Sequence, residues 1–290
     1  RRRHTRCREV SWAREMCIRD SSSLTFLVLL LALLLSTAKV QTLLAQGFTA
    51  RINNNFNTNF ALNQFTIDLD GKASLNGLYI KDHHTDTLAY VNNIRLSLVD
   101  LNTLLDGKIQ LHSLFLNDIQ ITNTQYQGEK KGALIQFINI FNKSNNDSTA
   151  APISINTLKI NKGLYDQKNN DEKQKKSFQL REVNLEAKNL IFSGKNFEGQ
   201  ILSFSGVESL QGTEFSQGRF LFDYSPNEFN LKELEVKTNN EYISGNFVLK
   251  DSVNIITNWK DSTELSVELD SISIEPNRCC LLYTSDAADE

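Results

Sequence analysis

The chain has 290 residues, with 31 Lys and Arg against 34 Asp and Glu and a formal net charge of −3. This mildly acidic balance argues against a phosphate-tracking surface and therefore against a nucleic-acid-binding protein. The length is sufficient for one large domain or two ordinary ones.

The two ends of the chain differ in composition from the part between them. All 17 phenylalanines lie between the ends, whereas the single methionine lies in the first segment. The end segments "REMCIRDS" and "CLLYTSDAADE" resemble translated sequencing adapters. We therefore expect 1–21 and 278–290 to be adapter-derived, and native sequence to be missing on both sides. The cysteines then carry no information on redox compartment or metal, since all four lie at the ends: Cys7, Cys17, Cys279 and Cys280.

Residues 22–40 contain a strongly hydrophobic segment. Leu24–Leu35 is apolar apart from Thr25, and no charge follows until Lys39. About 20 residues span a bilayer, so the visible run suits either a cleaved signal peptide or part of a retained membrane anchor. Both alternatives predict export of the residues that follow. The anchor would consist of Leu24, Phe26, Leu27, Val28, Leu29, Leu30, Leu31, Leu33, Leu34 and Leu35.

Residues 41–58 are predicted to form a short amphipathic helix that leaves the membrane. Gly47 weakens this helix, because glycine is a poor helix former. Apolar residues that recur every fourth position lie on one helical face. In this segment they are Leu44, Phe48, Ile52 and Phe56.

Residues 59–277 alternate between apolar and polar side chains with a period of two. Such alternation, with Asn, Asp and Gly roughly every 8–12 residues, predicts antiparallel strands with one apolar face. The alternation shifts by one residue at several points, which predicts bulges or tight links. Ala133–Lys143 is compatible with a short buried helix or a two-sided strand. Lys168–Lys176 is predicted to be a solvated loop tip.

A sheet with one apolar face must shelter that face from water. A second sheet, closure into a membrane barrel and an open groove that holds another apolar molecule would each do so. The apolar runs are shorter than membrane-barrel strands and mainly aliphatic, which disfavours the barrel. The residues predicted to line a groove are equally compatible with a sandwich core. They are Phe65, Ile67, Leu69, Ile94, Leu96, Leu98, Ile109, Leu111, Leu158, Ile160, Val236, Leu265, Val267 and Leu269.

Few residues suggest site-specific chemistry. Asp82, His83, His84 and Asp86 are of the types that bind metals, but adjacent histidines on a strand point to opposite faces and no third histidine lies nearby in sequence. We therefore interpret these residues as a polar turn. No nucleophile motif, phosphate-binding loop or paired acid and base is recognisable. We expect no enzyme activity, no cofactor and no metal.

The order of three segments resembles the N-terminal part of the TamB/AsmA-like envelope proteins of Gram-negative bacteria, the translocation and assembly module family. The first is the hydrophobic segment that runs into "VQTLLAQ". The second covers 75–121, from "LNGLYIKDHHTDTLAY" to "LFLNDIQI", and the third covers 215–249 and contains "LKELEVKTNNEYISGNFVL". The resemblance extends over most of residues 24–250.

This resemblance implies a retained single-pass anchor in the inner membrane and an elongated, taco-shaped β-groove in the periplasm. Members of the family are viewed as bridges that carry phospholipid toward the outer membrane and support its biogenesis. The implied partners are phospholipid acyl chains, the inner membrane and an outer-membrane Omp85-type barrel, which the family meets through a C-terminal domain that matches no residue here. The alternatives are a scaffold that guides outer-membrane proteins by strand addition and a secreted β-sandwich binding module.

Overall fold

A computed structural model describes most of the predicted β region and the helix before it. The described residues are 36–56, 58–68, 72–99, 109–129, 131–137, 153–169, 178–193, 196–250 and 264–274, together with 26, 29, 30, 33, 34 and 70. The predicted adapter segments 1–21 and 278–290 lie outside them. The elements are α1 (Ala38–Phe56), β1 (Asn59–Ile67), β2 (Lys72–Lys81), β3 (Thr87–Leu98), β4 (Ile109–Gln125), β5 (Ile153–Asn169), β6 (Phe178–Ser193), β7 (Asn196–Glu208), β8 (Glu214–Ser225), β9 (Glu228–Thr238), β10 (Tyr242–Lys250) and β11 (Glu264–Ser273).

All eleven strands belong to one sheet, in which spatial order follows chain order. Neighbouring strands pair antiparallel, as predicted, except that β4 and β5 are parallel. A parallel pair needs a long crossover connection, and the stretch between Gln125 and Ile153 provides it. Within the described residues β1 and β11 each pair with one strand, so the sheet is open and has two edges.

Residues in the left-handed backbone region lie inside several strands and coincide with some of the shifts in the alternation, whereas the shift between Leu111 and Leu114 coincides with a register shift between β3 and β4. Gly77 in β2, Asp118 in β4 and Lys162 in β5 have φ values of 63°, 52° and 54°. Each adds one residue to the local repeat, so that apolar residues three apart, such as Leu75 and Leu78, return to the same face. The predicted shifts are thus kinks within continuous strands and not links between separate ones. For this reason β4 and β5 reach 17 residues each.

A ladder of asparagine side chains runs beside these kinks, from β2 to β5. Asn93 Nδ2 donates to Asn76 Oδ1 at 2.6 Å, and Asn117 Nδ2 donates to Asn93 Oδ1 at 3.3 Å. Asn161 Nδ2 donates to Asn117 Oδ1 at 3.0 Å. The four residues pair in register. A strand that slipped by one residue would lose its rung and turn its apolar side chains to the wrong face, so the ladder stabilises this register.

Helix α1 covers the free edge of β1 with polar side chains. An uncovered edge strand presents unpaired N–H and C=O groups, which can pair with another chain. Three of the covering side chains both donate to a carbonyl oxygen and accept from the N–H of the same β1 residue, at 2.7 to 3.1 Å. The bonded pairs are Gln41 with Ile67, Thr42 with Phe65, Asn53 with Phe60 and, through a single bond, Gln46 with Leu62.

The described side chains of the predicted apolar stripe of α1 are not the groups that bond the sheet edge, and Ile52 is half-buried. Leu44 is 61 % exposed and the adjacent Leu43 is 67 % exposed. The side chains of Phe48 and Phe56 lie outside the described part. A sheet edge consists of backbone donors and acceptors, so the helix that covers it needs polar groups on the contacting side.

A short helical turn, residues 133–137, follows β4 and packs back toward β1. Ala133 is completely buried, and the ring of Phe137 lies edge-on to that of Phe60 with 5.8 Å between centroids. Of the two predictions for 133–143, the helix is therefore correct for the described part, while 138–143 lies outside it. Likewise β5 continues through Lys168 and Asn169 into the predicted loop tip, and 170–176 is not described.

Among the described residues, no helix is both long and apolar enough to cross a membrane. The described residues of the predicted anchor have helical backbone and exposed side chains: Phe26, Leu29, Leu30, Leu33 and Leu34. The other predicted anchor residues lie outside the described part: Leu24, Leu27, Val28, Leu31 and Leu35.

Candidate functional site: the apolar face of the sheet

One face of the sheet carries a continuous row of apolar residues that crosses all eleven strands. Residues paired in register lie on the same face of a sheet. Gly218 lacks a side chain, but Phe204 fills the space there, since a Cβ on Gly218 would lie 3.1 Å from its ring. We call this surface the apolar face. From β1 to β11 the row is Phe65, Leu75, Ile94, Leu116, Ile160, Leu185, Phe204, Gly218, Val236, Ile243 and Ile272.

The predicted groove residues with described side chains all lie on the apolar face. Leu69 lies outside the described residues, and so does the side chain of Ile109, whose backbone pairs with Ile153. Four of the predicted residues belong to the row itself: Phe65, Ile94, Ile160 and Val236. The others belong to neighbouring rows of the same face: Ile67, Leu96, Leu98, Leu111, Leu158, Leu265, Val267 and Leu269.

The apolar face is most shielded at its centre and most open at β11. Leu111, Ile155, Leu190 and Ile201 form part of one buried cluster. In β11, by contrast, every residue is exposed, and Leu265 is 59 % exposed. A sandwich would cover the face with a second sheet, but the described strands form one sheet only. The central side chains are therefore shielded mainly by their neighbours on the same face.

Aromatic residues that the sequence analysis missed line the apolar face on β6 to β9. Phe197 stacks on Tyr224 with 4.5 Å between centroids, and Phe192 and Phe229 flank this pair at 6.3 Å each. These distances suit attractive ring contacts. Burial raises the pKa of the Tyr224 hydroxyl. The sequence feature that could have revealed these residues is a pair of hairpins, "FSGKNF" and "YSPNEF", each of which places an aromatic residue on either side of its turn.

The opposite face of the sheet carries ion pairs. Arg219 Nε donates to Oε2 of Glu235 at 2.7 Å and its Nη2 donates to Oε1, and these bonds lower the pKa of Glu235. Lys159 Nζ lies 3.2 Å from Glu186 Oε1. Both pairs sit next to members of the apolar row in sequence, so they point away from the apolar face. The sheet therefore has one face suited to water and one suited to hydrocarbon.

The turn between β2 and β3 is polar, as predicted, but its histidines are arranged differently. Asp82 Oδ1 accepts from the backbone N–H groups of His84 and Asp86, at 2.9 Å each. The expectation that His83 and His84 point to opposite faces is wrong, because they lie in this turn and not on a strand. The Nε2 atoms of both lie 3.0 Å from Oε1 of Glu129. Glu129 is 46 residues from His83 in sequence, so spacing alone does not reveal the contact.

No protein-family model matches the chain, and no curated protein matches it. What the apolar face can bind is therefore judged from its geometry alone. Strands in a sheet lie about 4.8 Å apart, so the row of Phe65 to Ile272 extends ~48 Å along the sheet. A continuous apolar strip of this length, with a polar face behind it, is suited to holding hydrocarbon.

Proposed function

We propose that the apolar face holds lipid acyl chains, and that the chain is the N-terminal part of a TamB/AsmA-type bridge moving phospholipid toward the outer membrane. The observation that carries the proposal is the apolar row from Phe65 on β1 to Ile272 on β11. A protein core needs only a compact cluster, whereas a row that reaches both edges of the sheet offers a continuous path.

Transfer of lipid along this face needs no covalent chemistry. Each methylene group kept from water contributes about 0.8 kcal/mol, so an acyl chain gains binding energy wherever apolar side chains continue. The ~48 Å row is about three times the hydrocarbon thickness of one leaflet, which is half of a bilayer core of about 30 Å. The face thus accommodates several acyl chains in succession, while each head group stays in water.

The β1 end of the sheet is the end that we assign to the inner membrane. The exposed Leu43 and Leu44 of α1 follow the exposed Leu33 and Leu34 closely in sequence. Exposed apolar residues grouped in this way favour contact with a membrane over contact with water. We therefore propose a retained anchor in 22–40 and a periplasmic sheet that leads from β1 to β11, and then toward an Omp85-type barrel.

Site-specific photocrosslinking in living cells tests the lipid proposal. A photoreactive amino acid at Leu96 or Val267, both on the apolar face, is expected to capture phospholipid, identified by mass spectrometry of the adduct. Arg95 is the matched control, because it is the exposed neighbour of Leu96 on the opposite face, and it is expected to capture none. Protein adducts alone at both apolar positions would exclude the proposal.

A second function, a scaffold that guides outer-membrane proteins by strand addition, is favoured by the edge of β11, which pairs with no strand other than β10 among the described residues. Every residue of β11 is exposed, and an edge strand offers its backbone groups to another chain. On this hypothesis a photoreactive residue at Ser266 captures nascent outer-membrane proteins, and loss of the chain changes only the protein content of the envelope. Lipid capture at Leu96 without protein capture at Ser266 would exclude the scaffold.

A further inference from the structure

The turn between β2 and β3 holds two imidazoles against one carboxylate. Nε2 of His83 lies 3.0 and 3.1 Å from the two carboxylate oxygens of Glu129, and Nε2 of His84 lies 3.0 Å from Oε1. One ligand atom from each of the three residues lies within 4.8 Å of the others. The imidazole centroids are 4.4 Å apart. The three side chains therefore converge on one point.

This spacing is close to that of a tetrahedral metal site. Zn²⁺ binds imidazole nitrogen and carboxylate oxygen at about 2.0–2.2 Å, which places tetrahedral ligand atoms about 3.3–3.6 Å apart. The two histidine–glutamate distances of 3.0 Å are about 0.3–0.6 Å shorter than this, so a small separation of each histidine from Glu129 would admit the ion. Their side chains are 31 %, 46 % and 27 % exposed, which leaves a fourth coordination position open to water.

Neighbouring groups hold the three side chains in place. The ring of Tyr126 packs on that of His84 with centroids 3.9 Å apart, and its hydroxyl donates to Asp82 at 2.6 Å. Gln136 Nε2 donates to Oε2 of Glu129. Outer contacts of this kind orient metal ligands.

We propose that His83, His84 and Glu129 bind a divalent transition-metal ion, with Zn²⁺ as the best match. Imidazole suits zinc and its neighbours in the first transition row, whereas Mg²⁺ and Ca²⁺ prefer sites made entirely of oxygen. The site is independent of the lipid proposal, because its geometry does not depend on what occupies the apolar face.

The ion would join the β2–β3 turn to the segment 131–137, which packs toward β1. Glu129 lies just before the helical turn 133–137, and Gln136 within that turn bonds its carboxylate. Phe137 in the same turn contacts Phe60 on β1. Metal binding therefore stabilises this segment against β1.

Cobalt spectroscopy on the purified full-length chain tests the site. The four cysteines are first alkylated and bound metal is removed with a chelator, because thiolates also bind these ions. Co²⁺ is then expected to bind with the strong visible absorption of tetrahedral coordination, and Zn²⁺ to displace it. Glu129→Gln and His84→Ala are expected to weaken binding about tenfold or more. His112→Ala, which removes an exposed histidine of β4 outside the cluster, is the matched control and leaves binding unchanged.

Glu129→Gln preserves the size of the side chain, so it separates loss of a ligand from loss of folding. A second readout is hydrogen exchange of residues 131–137, which Zn²⁺ is expected to slow in the wild type and not in Glu129→Gln. Absence of a tetrahedral cobalt spectrum in the wild type would overturn the proposal. Equal affinity of the wild type and Glu129→Gln would overturn it as well.

Discussion

Replacing Asn53 with alanine is expected to expose the edge of β1. Asn53 Nδ2 donates to the carbonyl oxygen of Phe60 at 2.8 Å, and its Oδ1 accepts from the N–H of Phe60 at 2.7 Å. The same oxygen accepts from the Thr58 hydroxyl at 3.3 Å. The substitution leaves both backbone groups of Phe60 without their partner at a partly buried position.

The expected loss of stability follows from these bonds. A hydrogen bond contributes about 0.5–1.5 kcal/mol net, and a partly buried group left unpaired costs more, so Asn53→Ala is expected to lower the free energy of unfolding by about 2–3 kcal/mol. In a chain of this size 1 kcal/mol shifts Tm by roughly 2–4 °C, which gives a fall of roughly 5–10 °C. The uncovered edge is also expected to pair with other chains, since edge strands drive association.

Urea unfolding of Asn53→Ala beside Asn54→Ala measures this effect. Asn54 is the exposed neighbour in α1, and both substitutions gain the same helix propensity, so their difference isolates the contact with β1. Size-exclusion chromatography is expected to show self-association of Asn53→Ala alone. Equal urea midpoints for the two variants would refute the conclusion that α1 covers the edge.

Four further predictions concern the sheet and helix α1. Gly245→Ala is expected to loosen β11, because a Cβ would clash with a backbone carbonyl of that strand. Faster hydrogen exchange of the β11 amides would report this loosening. Gly47 lies in open space on α1, so Gly47→Ala is expected instead to raise the free energy of unfolding by about 0.5–1 kcal/mol. Asn117→Ala removes two rungs of the asparagine ladder. It is expected to lower the free energy of unfolding, measured in urea, by about 1–2 kcal/mol. An unchanged value would mean that the ladder contributes nothing to stability. Arg219→Gln is expected to raise the pKa of Glu235 in an NMR titration. Because the folded pKa of Glu235 is lowered, the contribution of this pair is present above the ordinary carboxyl pKa and is lost as pH falls through the lowered value.

The apolar face was predictable from the sequence because burial follows a local pattern. Period-two alternation assigns each side chain to a face without knowledge of its partner strand. The one-residue shifts were predictable for the same reason. Their form was not, because the sequence pattern does not distinguish a kink such as that at Asp118 from a break between strands. The parallel pairing of β4 with β5 depends on the long connection between them, which alternation does not describe.

The contacts that the sequence analysis missed join residues far apart in the chain. Asn53 lies on α1 and pairs with an edge of β1 that is defined only once the sheet has formed. Glu129 reaches His83 because β3 and β4 pair and bring the end of β4 beside the β2–β3 turn. In both cases the residue types were visible, but the partner was set by the register of the sheet.

The two edges of the sheet are unequal, and this inequality gives the apolar face a direction. On β1 the side chains of α1 occupy the backbone groups that another strand would use. On β11 those groups are free within the described part, and the apolar row still continues there through Ile272, beside the exposed Leu265 and Val267. Within the described part, a further strand can therefore pair at β11 and not at β1, and it would lengthen the apolar path by about 4.8 Å. On the proposed function, growth from one edge suits a path that leads away from a membrane, because its starting end is closed and its far end can be extended.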